Sequence, residues 1–272
     1  MGNNVLKLKR AVYFFLKELK SDPNRRPFMG EKYVCPVCNT HLAYFNPIDF
    51  GILQDLDTHQ YIYPMFSGET ANILKYECPA CRAHDRDRLY ALYIKKAFDK
   101  LDKTKKYNFL DIAPSSLRMY LKSLPFLNYR SADLFMKGVD DTVDITKMTI
   151  YENGRFDFFL CSHVLEHVPD EKAAISELYR VLKPGGWGIA MVPIVTTIED
   201  TFEDPKIVTD ADRWKYYGQN DHVRQYSPKG WVKSLEAGGF KVHRLGVDYF
   251  GKEVFEKNGI HPRSILYIAE KL

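Results

Sequence analysis

The 272-residue chain is 45% hydrophobic and 27% charged, ordinary globular material long enough for one sizeable α/β core with a small appendage. Its formal charge of +4 is concentrated at one end: residues 1–32 carry eight Lys/Arg against Glu18, Asp22 and Glu31, a net of +5, and the remainder is near neutral at −1. That balance argues against a broad nucleic-acid-binding face, which needs clustered positive charge, and leaves a local basic arm.

The arm, residues 1–26, places Val5, Leu8, Val12, Phe15, Leu16 and Leu19 at helical spacing among Lys and Arg, the pattern of an amphipathic helix. Its apolar run Ala11–Leu16 is six residues long, too short for a membrane span or a signal-peptide core, so no membrane span and a cytoplasmic protein are expected. Residues 27–86 form a second unit of short aromatic and Pro/Gly-punctuated pieces. Within it Cys35-Pro-Val-Cys38 and Cys78-Pro-Ala-Cys81 are two tight knuckles 39 residues apart. Four thiolates so paired, without a secretion signal, predict a structural Zn2+ site, with His41, His59 and His84 as alternative ligands. The intervening residues 43–74 must form an excursion. The run Arg82, His84, Arg86, Arg88 reads as a solvated or interdomain cluster, or more sharply as an anionic-substrate contact.

Residues 87–272 alternate between β and α patterns. A helix is predicted from Asp87 to Leu101, then strand 108–112, helix 116–123, strands 128–132 and 156–161, helix 171–182, strand 187–193, helix 228–237 and strands 240–247 and 264–270. This predicts an α/β fold with a seven-stranded, mainly parallel, doubly wound sheet, its ligands bound at the carboxyl ends of the strands. The first strand ends in Asp111 before a turn of small residues, and the second ends in Asp133, 22 positions later. That separation brings a second carboxylate to a ribose bound over the first turn.

From these strand ends onward the chain resembles the class I S-adenosylmethionine-dependent methyltransferases. Besides Phe109-Leu-Asp-Ile-Ala-Pro-Ser-Ser-Leu117, the resemblance rests on Asp141-Thr-Val-Asp-Ile-Thr146, on residues 156–170 and on Tyr179-Arg-Val-Leu-Lys-Pro-Gly-Gly-Trp187. It implies a Rossmann-like fold and S-adenosylmethionine as cofactor. It also implies donor contacts from Asp111, Ala113, Pro114 and Ser115 in the first turn and Asp133 and Leu134 after the second strand. Asp144 and Ile145 would meet the adenine, and Cys161 and Ser162 close the fourth strand beside the donor. The family's D/E-x-G-x-G-x-G turn is altered here, with Ala113, Ser115 and Leu117 in the glycine slots, where positive φ is less accessible.

His163-Val-Leu-Glu-His167 would share a face if it were helical. The stretch resembles the metal-binding E-x-x-E-H of ubiquinone-pathway O-methyltransferases and small-RNA 2′-O-methyltransferases, with His222 in place of a further histidine. This implies a second divalent cation at His163, Glu166, His167 and His222, although an imidazole in the first position disfavours a hard ion. His222 or His163 as general base is the preferred use, because imidazole titrates near neutral pH. The Asn/Asp-Pro-Pro-Tyr/Phe stretch of amino-adenine methylases is absent. The expected reaction is O-methylation of a small-molecule or saccharide-like hydroxyl or phosphate under a lid at residues 194–227. An RNA methyltransferase, by resemblance to zinc-bearing ribosomal-RNA guanine methylases, and a non-catalytic scaffold are the alternatives.

Overall fold

The computed structural model describes residues 28–272; the predicted arm, residues 1–26, lies outside them. A ribbon of β1 (Met29–Val34) and β2 (His41–Leu42) is followed by α1 (Phe50–Thr58) and α2 (Asp85–Phe98). The alternating part runs β3 (Tyr107–Ile112), α3 (Arg118–Lys122), β4 (Leu127–Asp133), β5 (Asp141–Thr142), β6 (Phe156–Ser162), α4 (Glu171–Val181) and β7 (Leu182–Met191). It ends with α5 (Asp210–Tyr217), α6 (Pro228–Ala237), β8 (Lys241–Leu245), α7 (Val247–Phe250), α8 (Lys252–Lys257) and β9 (Leu266–Glu270).

The main sheet has seven strands in the order β5-β4-β3-β6-β7-β9-β8. Strands β3 to β7 pair with one another in parallel, and β9 is antiparallel to both β7 and β8. This is the Rossmann-like methyltransferase arrangement. The order reverses at β3 and β6, so their carboxyl ends open the crevice where such sheets bind ligands. Strand β6 reads Phe156-Asp-Phe-Phe-Leu-Cys-Ser162, a near-continuous apolar run, because helices cover both faces of a parallel sheet. Helix α4 forms because Asp170 caps its first turn and Ala174, Ile175, Leu178 and Val181 lie on one buried face. Residues 183–186, between the predicted helix 171–182 and strand 187–193, fall inside β7, where the register with β6 shifts between Phe156 and Phe158. Strand β5, which the sequence pattern did not mark, contributes two residues. No helix among the described residues is long and apolar enough to cross a membrane.

The cysteine-bearing segment and the sheet share one buried core, which includes Cys35, Leu42, Phe45 and Cys78 together with Leu89, Phe109 and Phe159. The excursion between the knuckles packs on the 194–227 segment: Ile62 N–H bonds the Lys215 carbonyl (3.1 Å), Tyr61 Oη donates to Gln225 (2.7 Å) and Glu69 N–H bonds the Ile194 carbonyl (2.9 Å). The central tie is Arg88, fully buried on α2. Its guanidinium donates to the carbonyls of Lys75 (2.5 Å), Tyr76 (3.0 Å), Ala83 (3.2 Å), Asn258 (2.8 Å) and Gly259 (3.0 Å). It also lies 3.9 Å from the Phe45 ring centre. Gly259 is required there: its φ is +64°, and a Cβ would come within 2.4 Å of the Phe45 ring.

Arg88→Leu would leave the carbonyls of Lys75, Tyr76 and Asn258 without this donor and the buried Asp85 without its nearby cation, while Ala83 keeps the Cys78 N–H and Gly259 the Asn72 amide. A loss of about 3–5 kcal/mol in urea unfolding is expected. A loss below about 1 kcal/mol would show that water replaces the guanidinium.

Candidate active site

A cavity of about 420 Å³ opens at the carboxyl ends of β3 and β6. It is lined by the first turn, Asp111 to Ser116, by Leu160, Ser162 and His163, and by Glu77, Arg82, His84, Arg86 and Asp87 from the second knuckle and the start of α2. Ala113, in the family's first glycine slot, has φ +50°, a conformation that costs an L-residue roughly 1–2 kcal/mol. The remaining glycine slots need no such backbone. Leu117 lies at φ −66° with its side chain buried. The Ser115 hydroxyl donates to Asp87 (2.8 Å), as does Ser116 (3.1 Å), and the second Asp87 oxygen also takes the His84 N–H (2.9 Å). A carboxylate from α2 thus holds the turn that glycine usually leaves open.

Asp111 is fully buried. One of its oxygens accepts from Tyr129 Oη at 2.6 Å, and the other has no partner within the protein. Burial pushes the carboxyl up to about 7, against the Tyr129 hydrogen bond and with help from the Asp87 charge. Parallel pairing aligns the other donor-side candidates: Asp133 sits opposite Thr142, and Val143 N–H bonds the Asp133 carbonyl (3.1 Å). Asp133 Oδ1 accepts from the N–H groups of Phe135 (2.7 Å) and Met136 (2.6 Å), and Asp144 Oδ1 accepts from Thr146 N–H and its hydroxyl (both 2.8 Å). Each aspartate therefore shapes its own loop with one oxygen. Leu134 is exposed beside Asp133, and Ile145 is buried. Cys161 is buried between Ile112 and Ala190, which raises its thiol, while Ser162 bonds Tyr90 Oη (2.8 Å) at the cavity wall.

The His163–His167 stretch does not form an α-helix. His163 is left-handed at φ +56°, its N–H bonding the Met191 carbonyl (2.8 Å), and a short 3-10 turn covers Leu165–His167. The turn still gathers the predicted groups. His163 Nδ1 lies 3.4 Å from Glu166 Oε1, His167 Nε2 lies 3.9 Å from the same oxygen, and His167 Nδ1 lies 3.1 Å from Asp221. Glu166, His167 and His222 offer ligand atoms within 4.8 Å of one another. His222 Nδ1 donates to the Tyr217 carbonyl (3.1 Å), which leaves Nε2 as an acceptor. Burial and the Arg86 charge lower His163, and burial lowers His222. Burial would raise Glu166, but His163 and His222 outweigh it and hold the carboxyl below its ordinary range. Of these four residues, His163 faces the cavity and the other three stand outside its lining.

The four cysteines come together at the module's centre. Cys35 Sγ lies 3.7 Å from Cys81 Sγ and Cys38 Sγ lies 3.9 Å from Cys78 Sγ, far beyond disulfide length. A tetrahedron of thiolates around zinc has edges of about 3.8 Å. Each knuckle closes with a left-handed residue after its second cysteine, Asn39 (φ +58°) and Arg82 (φ +65°). His41 instead meets Glu31 (2.7 Å), His59 stacks on Trp214 and His84 stacks on Tyr76, each at some distance from a ligand role.

The sequence pattern missed Asp87 and Tyr129 as site residues. Asp85-Arg-Asp-Arg88 reads locally as solvated charge, yet Asp85, Asp87 and Arg88 are all buried. The signal was present in its position, directly behind a knuckle and at a helix start.

Because the folded Asp111 carboxyl titrates above the ordinary aspartate value, its contribution to stability is present below that ordinary value and is lost as pH rises toward about 7. The stability of wild type relative to Asp111→Asn should therefore fall between about pH 4 and 7 in denaturant titrations. A difference independent of pH would place the carboxyl in water.

No curated protein matches the chain by sequence. Solved structures similar to it include the selenomethionine-substituted CurJ carbon methyltransferase, 18% identical with TM-score 0.45, where 68% of this chain aligns with 57% of that one. A SAM-dependent methyltransferase from Archaeoglobus fulgidus is 15% identical with TM-score 0.44, covering 68% of this chain and 94% of that one. The YcgJ protein from Bacillus subtilis is 16% identical with TM-score 0.43, covering 68% of this chain and 99% of that one. A family model described as a methyltransferase domain matches residues 82–245, more than half of the chain, and the chain belongs to that family.

Proposed function

We propose that the chain transfers a methyl group from S-adenosylmethionine to a hydroxyl of a small, saccharide-like acceptor, or to a phosphate, with His163 as general base. One observation carries this reading: a single cavity at the sheet's switch point is lined by both Asp111 and His163. The donor's nucleoside would lie toward Asp133 and Asp144 at the neighbouring strand ends. Methyl transfer requires the nucleophile in line with the sulfonium, so the protein's work is positioning and deprotonation. Glu166 orients His163 from behind, and His167 and His222 act through Glu166. The lowered His163 leaves it neutral, and so able to take a proton, at and below neutral pH.

Tritium transfer from labelled donor to acceptor pools tests the reading. The rate should rise with pH through a step below the ordinary imidazole value, and His163→Gln should lower it about 10²–10⁴-fold while S-adenosylhomocysteine still binds. Full activity in His163→Gln would remove the base.

Cys35, Cys38, Cys78 and Cys81 would hold a structural zinc whose binding supplies folding energy to the module. Elemental analysis should return one zinc per chain, lost in Cys78→Ser together with a lowered melting temperature. The clustering of Glu166, His167 and His222 favours a second reading in which they bind another divalent cation. Two ions per chain, one of them lost in Glu166→Gln, would support that reading over the orienting role.

A further inference from the structure

Arg86 is the second residue of α2 and lines the same cavity as Asp111 and His163. No described Asp or Glu lies within 4.0 Å of its guanidinium, whereas its neighbour on the cavity rim, Arg82, pairs with Glu77 at 3.0 Å. Neither adjacent carboxylate pairs with it: Asp85 accepts the Asn72 N–H with one oxygen, and Asp87 accepts from both serines and the His84 N–H. The side chain of Arg86 meets the phenol of Tyr76, a neutral group. The Asp87 and Asp85 charges help to keep the buried guanidinium charged, but neither carboxylate pairs with it, so an incoming anion would gain a charge-assisted contact.

Asp111 lines the same cavity, and one of its buried oxygens has no partner within the protein. An arginine and a carboxylate lining one cavity match an amino-acid zwitterion. The first turn is poorly equipped for this task, because Ala113 replaces the leading glycine and both serine hydroxyls are drawn to Asp87. We propose that Arg86 binds the carboxylate of the donor's methionyl group, with Asp111 facing its ammonium. Helix α2, anchored behind the second cysteine pair, thereby supplies a grip that the glycine-poor turn does not. This assignment rests on S-adenosylmethionine being the donor.

Calorimetry with two probes tests it: S-adenosylhomocysteine, which carries the amino-acid end, and 5′-methylthioadenosine, which lacks it. Arg86→Gln should bind the first about 10- to 100-fold more weakly than wild type and the second equally well, since a charge-assisted bidentate contact is lost for one probe alone. Arg86→Lys should fall between, because it keeps the charge and loses the fork. Asp133→Ala, acting at the ribose, should weaken both probes together. Equal weakening of both by Arg86→Gln would mean a structural role, and unchanged binding of both would mean that the arginine serves the acceptor; either result overturns the assignment. If Arg86→Gln does not fold, the same selective loss must appear in Arg86→Lys. Wild type binding neither probe would overturn the donor reading itself, an outcome distinct from normal binding of both by wild type and variant.

Discussion

The buried guanidinium of Arg88 is the contact on which the site's geometry depends. Of the carbonyls it gathers, Ala83 also accepts from the Cys78 N–H and Gly259 from the Asn72 amide, whereas Lys75, Tyr76 and Asn258 rely on the guanidinium. Left unpaired, these three would carry the cost of a buried polar group. One planar cation with five donors serves all five carbonyls and joins the second knuckle to α2 and to the loop after α8. The position of Arg86, two residues away, follows: the helix start cannot shift without releasing those carbonyls. The cysteine cluster is therefore mechanically part of the cavity wall. A metal at Cys35, Cys38, Cys78 and Cys81 would stiffen the segment that carries Glu77, Arg82 and His84 into the site.

How much was legible in the sequence follows from the range of the interactions involved. Strands β3, β4 and β6 and helices α2 and α4 announce themselves through local periodicity, and each lies within a few residues of its predicted span. The cysteine pairs were legible because two ligands on one tight turn is a local pattern. The two-residue strand β5 was not, since its pairing of Asp133 with Thr142 is decided by its neighbour. The conformation of His163 was hidden for a similar reason. Its left-handed φ is imposed by the bond from its N–H to Met191 on the adjacent strand, and the helical spacing of His163, Glu166 and His167 suggested otherwise.

Charge was the least legible feature. Asp85-Arg-Asp-Arg88 looks like a solvated helix start, and its residues separate into three different roles once buried. Arg88 binds carbonyls, Asp87 binds the serine turn, and Arg86 faces the cavity. Sequence separation explains the difficulty: Arg88 meets Asn258 and Gly259 about 170 positions away, a contact that no local window contains.

The same burial that holds the site together sets its electrostatics. Asp111 is pushed up to about 7 because a carboxylate there has lost water and gained one phenol. A cation placed against its unpartnered oxygen would restore the stabilisation that burial removed and draw the carboxyl back toward its ionised form. By linkage, the ligand that does so binds more tightly to the ionised protein than to the protonated one. The glycine-poor turn then has a physical logic. Where the backbone does not approach a ligand closely, the cavity relies on opposite charges held at fixed positions, Asp111 on the sheet and Arg86 on the helix beside the cysteine knuckle. Such groups interact strongly because they are kept from water, and the ordered frame around Arg88 keeps them there.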